Sequence, residues 1–273
     1  MPKTILITGS TDGIGLETAK MLIEAGQKVL LHGRNPAKLK QAENLLAALP
    51  GGTSIESYVA DLSRMAEVEA FAKAISEKHD KLDVLINNAG ILKAPNTTTE
   101  DGLDIRFAVN TIAPYLLTRR LLPLLDRSAR VVNLSSAAQA PVDRAALEGE
   151  GHLEDMAAYA QSKLAITMWS RVMAGAQGDQ GPSIIAVNPG SLLGSKMVQE
   201  GFGVTGGDIR VGADILTRAA LSDEFAEASG RYFDNDKGQF GSPHPHALDP
   251  VKGDEVVRSI EAILARILPS SAV

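Results

Sequence analysis

A single doubly wound α/β domain, a parallel sheet with helices on both faces, is the fold class this sequence predicts, and three observations predict it. The chain opens with a short apolar run, Ile5-Leu6-Ile7, that feeds directly into Gly9, Gly13 and Gly15 and then into a helical pattern of Leu16, Ala19, Leu22 and Ile23. From there apolar runs of strand length alternate with helical patterns, as in β–α–β units joined by right-handed crossovers. No internal repeat, low-complexity segment or linker interrupts the 273 residues, a length that buries a full two-sided core.

Each element carries its own punctuation. Gly26 stops the first helix, and Lys28 to His32 reads as a second buried strand. Pro36 opens a helix bearing Leu39, Ala42, Leu45 and Leu46, which Pro50-Gly51-Gly52 ends. Ile55 to Ala60 is the third strand, Ala66 to His79 a helix, and Leu82 to Ile86 the fourth strand. A long helix is expected from about Thr99 to Leu125, with a kink where Pro114 removes the donor for the Asn110 carbonyl. Ala129 to Leu134, Ser183 to Val187 and Gly230 to Phe233 supply strands five to seven, and helices are expected over Met156 to Gly175 and Val256 to Leu268. The interval Pro141 to Met156, rich in Asp and Glu, reads as a solvated loop, with a wall of the substrate mouth as the other reading. Ser191 to Gly212, where glycines flank Leu192, Leu193, Met197 and Phe202, reads as a mobile substrate lid, with poor order lacking any gating role as the other reading.

Composition narrows the function. Hydrophobic and charged fractions of 44% and 22% suit a soluble globular protein, and a net charge of −6 gives no footprint for nucleic acid or an anionic membrane. The chain has no cysteine, so thiol catalysis and thiolate metal sites are excluded. A first strand starting at Lys3 leaves no room for a leader, and Arg106, Pro114, Arg119, Arg120 and Pro123 break the most apolar later stretch, so a cytoplasmic protein is expected. His244-Pro245-His246 lacks a matched carboxylate or third ligand, and no metal is expected.

Strand, glycine turn and helix in that order bring bare N–H groups and a helix N-terminus to one point, which suits the pyrophosphate of a dinucleotide. The segment Gly9-Ser10-Thr11-Asp12-Gly13-Ile14-Gly15 is therefore the expected cofactor loop. The second strand ends His32-Gly33-Arg34-Asn35, with an arginine and no acid where the adenosine ribose is read, which favours the 2′-phosphate of NADP over NAD. Asp61-Leu62 ends the third strand, where the carboxylate could accept from the adenine amino group or cap the next helix. Asn88-Ala89-Gly90 ends the fourth at the same crevice.

Tyr159 and Lys163 share one helical face, and an ammonium beside a phenol favours the phenolate, so the pair could serve as a general acid/base or be an exposed surface pair. Ser135 and Ser136 follow the fifth strand, where a hydroxyl could orient a substrate oxygen or cap a turn. A carbonyl freed at Asn110 could hold a water, or mark only a kinked packing helix.

Together these motifs, with Asn188-Pro189-Gly190, stand in the order seen in the short-chain dehydrogenase/reductases, and residues 3–235 resemble the classical branch of that family. The Ile105 to Leu125 helix and the long interval from Ser136 to Tyr159 look most like its retinol-dehydrogenase and protochlorophyllide-reductase-like members. The resemblance implies a Rossmann-type fold and hydride transfer between a nicotinamide and a small-molecule carbonyl or alcohol. It implies Tyr159 as proton donor or acceptor, Lys163 on that phenol and the nicotinamide ribose, Ser136 on the reacting oxygen and Asn110 in a proton relay. It also implies a homodimer or homotetramer through the helices carrying Asn110 and Tyr159, with Met168, Trp169 and Met173 as interface or core. The segment after Pro189-Gly190 would bind the carboxamide, with Ser195 in place of the family's threonine. Asp12 stands where many NADP-dependent members have a basic residue, which keeps NAD possible. Reduction of an activated C=C bond and a non-catalytic dinucleotide sensor are the alternatives.

Overall fold

A computed structural model describes residues 2–52 and 55–268. The strands are β1 (Thr4–Ile7), β2 (Lys28–Gly33), β3 (Ile55–Val59), β4 (Val84–Asn87), β5 (Arg130–Leu134), β6 (Ser183–Asn188), β7 (Tyr232–Asp234) and β8 (Gln239–Gly241). They form one sheet in the order β3-β2-β1-β4-β5-β6-β7-β8, parallel except for β8, which pairs antiparallel with β7. The order reverses direction between β1 and β4, and this is the switch point outside which ligands bind in open α/β sheets.

Strand residues alternate between two cores. Leu6, Leu85, Val131 and Ile184 face one cluster, while Ile5, Ile7, Ile86, Val132 and Ile185 face the other. The helices are α1 (Gly13–Glu24), α2 (Pro36–Ala47), α3 (Met65–Ser76), α4 (Ile105–Phe107), α5 (Ala113–Leu121), α6 (Arg144–Leu147), α7 (Asp155–Gln177), α8 (Lys196–Phe202), α9 (Arg210–Leu221) and α10 (Pro250–Ile267). Members of α3, α5, α7 and α10 fill the first cluster, and members of α1, α2 and α9 fill the second.

Several sequence expectations change. The helix expected from Thr99 begins at Ile105, because Thr98 and Asp104 pair first as an isolated bridge. Between α4 and α5 the chain makes a π turn, Ala108–Ile112, closed by Ala113 N–H on the Ala108 carbonyl. Pro114 denies Asn110 its usual partner, and the wider turn absorbs the missing bond. The Pro141 to Met156 interval is more than a solvated loop, since α6 buries Ala146 and Leu147 and Glu148 accepts from Ser259 of α10 at 2.7 Å. Strand β8 and helix α9 are additional elements, and α10 starts earlier, at Pro250 behind an Asp249 cap. Met168, Trp169 and Met173 lie in the chain's own core, where Tyr115 meets Trp169 edge-on. Among the described residues no helix is long and apolar enough to cross a membrane.

Candidate active site

The carboxyl ends of β1 to β6 open into a cleft of about 410 Å³. Its inner wall is the turn from β1 into α1. Gly9 sits at φ +64°, and a Cβ there would come 2.9 Å from the Ala89 Cα. A Cβ on Gly15 would run into the Gly9 carbonyl and the Asn88 amide, so only glycine lets loop and fourth strand close together. Asn88 locks that approach, donating to the carbonyls of Thr8 and Gly9 at 2.9 and 3.0 Å. The Thr8 hydroxyl in turn accepts from the N–H groups of Asn88 and Ala89 at 3.0 and 3.1 Å.

Gly9, Thr11, Asp12, Gly13, Ile14 and Gly15 line the cleft as expected. Ser10 does not: it is fully buried, and its hydroxyl accepts from His32 N–H at 2.9 Å and donates to the His32 carbonyl at 3.3 Å. It clamps β2 instead of facing a ligand. Asp12 lines the cleft but caps α1, accepting from Gly13 N–H at 2.8 Å.

The ends of β2 and β3 form the second wall. Arg34 is exposed and lines the cleft, joined by Lys38 from the first turn of α2. Neither makes an ion pair among the described residues. Asn35 leaves the site, because its side chain caps α2 by accepting from Lys38 N–H at 3.0 Å. Asp61 and Leu62 line the cleft, with one Asp61 oxygen held by Ser63 N–H at 2.9 Å and Ser63 Oγ at 2.8 Å. His32, Ala60 and Lys38 are lining residues that sequence reasoning missed.

The far end is built by β4, β5, α7 and the 191–212 segment. Tyr159 and Lys163 both face the cleft, and Lys163 Nζ lies 5.7 Å from the Tyr159 ring centroid. Lys163 is 4% exposed and donates to the Leu134 carbonyl at 2.8 Å. Burial lowers its pKa from 10.5 to about 8. The Tyr159 phenol is pushed up by burial, against which a hydrogen bond with Ser136 works. The surface pair considered from the sequence is therefore a pair turned into the cleft.

Ser136 lies beside Tyr159 just outside the cavity wall, and its carbonyl accepts from Gln139 Nε2 at 2.8 Å and Tyr232 OH at 3.1 Å. Asn110 stands behind the wall. Its amide donates to the Ile91 carbonyl and Ser162 Oγ, each at 2.9 Å, and its oxygen accepts from Ile91 N–H at 2.8 Å. It thereby braces the loop after β4 against α7, one residue before Lys163. Ala89 and Gly90 line the cleft in front of it, the latter with Lys163 Nζ, Asn110 Oδ1 and Met197 Cε all within 3.6 Å of where a Cβ would stand.

Pro189 lines the cleft, whereas Gly190 turns at φ +122° behind it. Ser195 lines the cleft and caps α8, accepting from Val198 N–H at 3.3 Å. The segment around it is stitched into place by Gly194 N–H on the Gly207 carbonyl and Gly207 N–H on the Leu192 carbonyl, each at 2.8 Å. Leu192 has φ +50°, the one non-glycine with positive φ among the described residues, and is half exposed. An L-residue held there stores strain of roughly 1 kcal/mol.

The cleft fits an anionic dinucleotide. Arg34, Lys38, Lys93, Lys163 and Lys196 line it against Asp12, Asp61 and Glu200, in a chain of net charge −6. A Cβ on Gly13 would meet no atom nearer than 3.8 Å, so the loop presents bare backbone to open space beside a helix N-terminus.

Comparison with known proteins agrees. Residues 3–202 match the short chain dehydrogenase family. The chain is 32% identical over 292 residues to retinol dehydrogenase 13 of Homo sapiens, covering 97% of this chain and 84% of that protein. It is 34% identical over 198 residues to polyprenol dehydrogenase of Homo sapiens, covering 69% of this chain and 60% of that protein. Among solved structures, the active-site complex of RhlG with NADP from Pseudomonas aeruginosa superposes with a TM-score of 0.70 at 26% identity, covering 86% of this chain and 95% of that one.

Proposed function

We propose, from the premise that this chain belongs to the short-chain dehydrogenase family and is an NAD(P)-dependent oxidoreductase of alcohol and carbonyl groups, that it prefers NADP and uses Tyr159 as its general acid/base. One observation carries this reading: Tyr159 and Lys163, with Ser136 beside Tyr159 just outside the wall, share a single cleft with the glycine loop, Arg34 and Lys38.

A bound nicotinamide dinucleotide would supply or accept the hydride; this chain's own residues do the rest. The Gly9–Gly15 backbone and the α1 N-terminus would hold the pyrophosphate, Arg34 and Lys38 would take the 2′-phosphate, and Asp61 would meet the adenine. Ser136 orients the substrate oxygen, and Tyr159 gives that oxygen a proton in reduction or removes one in oxidation. Lys163 holds the ribose and favours the phenolate when the proton leaves. Asn110 keeps the loop after β4 and helix α7 in register and supports proton exchange with solvent.

Leu92, Val109 and Met197 give the substrate end an apolar wall, and the 191–212 segment also carries the exposed Leu192 and Phe202. An apolar alcohol or its aldehyde or ketone fits that wall, in keeping with the retinol and polyprenol named for two relatives. The 191–212 segment is the lid over it. Cytoplasmic residence and a homo-oligomer belong to the same reading, the latter through surface other than the Trp169 region, which lies in the core.

Tyr159→Phe tests the mechanism. NADP binding stays within about twofold while turnover of a reactive aldehyde or alcohol falls roughly 10²–10⁴-fold. In the native enzyme reduction weakens as pH rises through the phenol pKa, because the acid is lost, and oxidation strengthens, because the base is gained. Near-normal turnover by the variant refutes the assignment.

A further inference from the structure

We infer that His32 is a positioning residue for the cofactor loop: its imidazole pins Gly9 to the end of β3 and fixes the phosphate-binding backbone before any dinucleotide arrives. This rests on reading the cleft as the dinucleotide site.

The ring is 2% exposed and its two nitrogens meet two different loops. Nδ1 lies 3.1 Å from Gly9 N, and Nε2 lies 3.1 Å from the Ala60 carbonyl oxygen. A backbone N–H can only donate, so Nδ1 must offer its lone pair. A carbonyl can only accept, so the proton must sit on Nε2. The partners therefore dictate a single tautomer of a neutral ring, and burial lowers its pKa from 6.5 to about 4, in keeping with that state. Phe71 backs the ring, with centroids 4.8 Å apart and planes inclined by 29°.

The main chain of the same residue completes the clamp. His32 N–H donates to Ser10 Oγ at 2.9 Å, and Ser10 N–H donates to the His32 carbonyl at 3.0 Å. Residues 9 and 10 are thus tied to residue 32 through both its backbone and its ring. Gly9 sits in the left-handed region at φ +64°, which glycine alone adopts freely and which an untethered loop would leave for many alternatives. A loop that the ligand must order gives up affinity for that ordering, so a pinned loop binds more tightly. The pin also commits the Gly9 N–H, leaving the later N–H groups of the loop for the phosphates.

Two substitutions separate the two ring contacts. Asn places an amide oxygen near the Nδ1 position and keeps an acceptor for Gly9, while Gln reaches toward Ala60 and abandons Gly9. Dissociation constants for NADP and NAD are measured by calorimetry on the full chain, with kcat at saturating cofactor and melting temperature beside them. His32→Asn stays within about threefold of native affinity, His32→Gln weakens both dinucleotides by roughly tenfold or more, and kcat at saturation holds in each. Equal weakening by both variants marks a merely structural histidine and overturns the inference, as does no weakening by either. A native chain that binds neither dinucleotide overturns the reading of the cleft and the pin with it. Should His32→Gln not fold, nitrogen-15 spectra of the native imidazoles decide, with the His32 signals identified by their loss in His32→Asn. A proton on Nε2 near pH 7 is expected, and a proton on Nδ1 is incompatible with the Gly9 contact.

Discussion

Lys163 donates to the Leu134 carbonyl across 2.8 Å, joining the middle of α7 to the carboxyl end of β5. No carboxylate pairs with this ammonium among the described residues, and burial holds its pKa at about 8 against an ordinary 10.5. The fold keeps a charge in a place that penalises it, at the position where the nicotinamide ribose is proposed to lie.

Lys163→Met should therefore stabilise the cofactor-free protein while removing its activity. At pH 7 the lysine is protonated both folded and unfolded, and the folded state bears the full cost of burying the charge. Between about pH 8 and 10.5 the folded state has lost the proton and the unfolded state still holds it, so native stability rises with pH across that window. Methionine has no such slope. The variant should be more stable at pH 7 by roughly 2 kcal/mol, after the loss of one hydrogen bond, and its advantage should shrink toward pH 10.5. Thermal unfolding at the two pH values, beside a turnover assay, checks it; a constant difference sinks the argument.

At the opposite end, Arg34 and Lys38 are the cations that a 2′-phosphate would meet. Removing either should weaken NADP by about tenfold, with little change for NAD, and the pair of changes should leave the two cofactors nearly equal. Dissociation constants at low and moderate salt measure this, since contacts to an exposed phosphate weaken as salt rises. Equal losses for both dinucleotides would show that these cations serve a group the two share.

Much of this site was legible because the chemistry there depends on local patterns. The glycine turn, the strand ends and the Tyr159–Lys163 spacing each follow from a short-range rule, and the sheet order brings them to one edge. The errors have equally local causes. Within a glycine loop the pattern does not say which side a given residue faces, so the pattern points Ser10 at the cofactor although its hydroxyl is turned to His32. The Asn35 side chain is spent on an N-cap, and that cap holds the clue to Lys38. A residue three beyond an N-cap leans back over the start of its helix, toward Arg34. His32 offered no such clue, since a lone histidine on a buried strand shows its partners only once three strand ends are side by side. Strand β8 and helix α6, of three and four residues, are too short for any period to register.

Arg106 holds the start of α7, the helix that carries Tyr159 and Lys163. It is fully buried and donates to Asp104 and Asp155 at 2.8 Å each and to the Leu153 carbonyl at 3.1 Å, the last two at the entry to α7. Arg106→Met takes the guanidinium from Asp104, Asp155 and the Leu153 carbonyl and should cost about 3–5 kcal/mol, while Arg106→Lys, which keeps the charge but not the fork, should cost less. Turnover of whatever remains folded should fall with it, because Tyr159 lies only one turn into that helix. Urea unfolding and specific activity per folded molecule separate the two effects.

Gly201 decides how closely α8 lies over the substrate end. A Cβ at that position would stand 2.5 Å from Leu92 Cδ2, and Leu92 is 3% exposed in the cleft wall, so the missing side chain at residue 201 lets α8 seat directly on Leu92. Gly201→Ala must lift α8 or displace Leu92. The proposed pyrophosphate and adenosine contacts stand at the ends of β1 to β3, away from this contact, so dinucleotide affinity should stay within about twofold while the KM for an apolar substrate rises roughly tenfold. Leu92→Ala in the same chain vacates the space the new methyl needs, and the double variant should recover much of the lost KM. Such recovery is a coupling between two touching side chains, which independent effects on folding would not produce. If the two changes simply add, α8 does not close against Leu92 when the substrate binds.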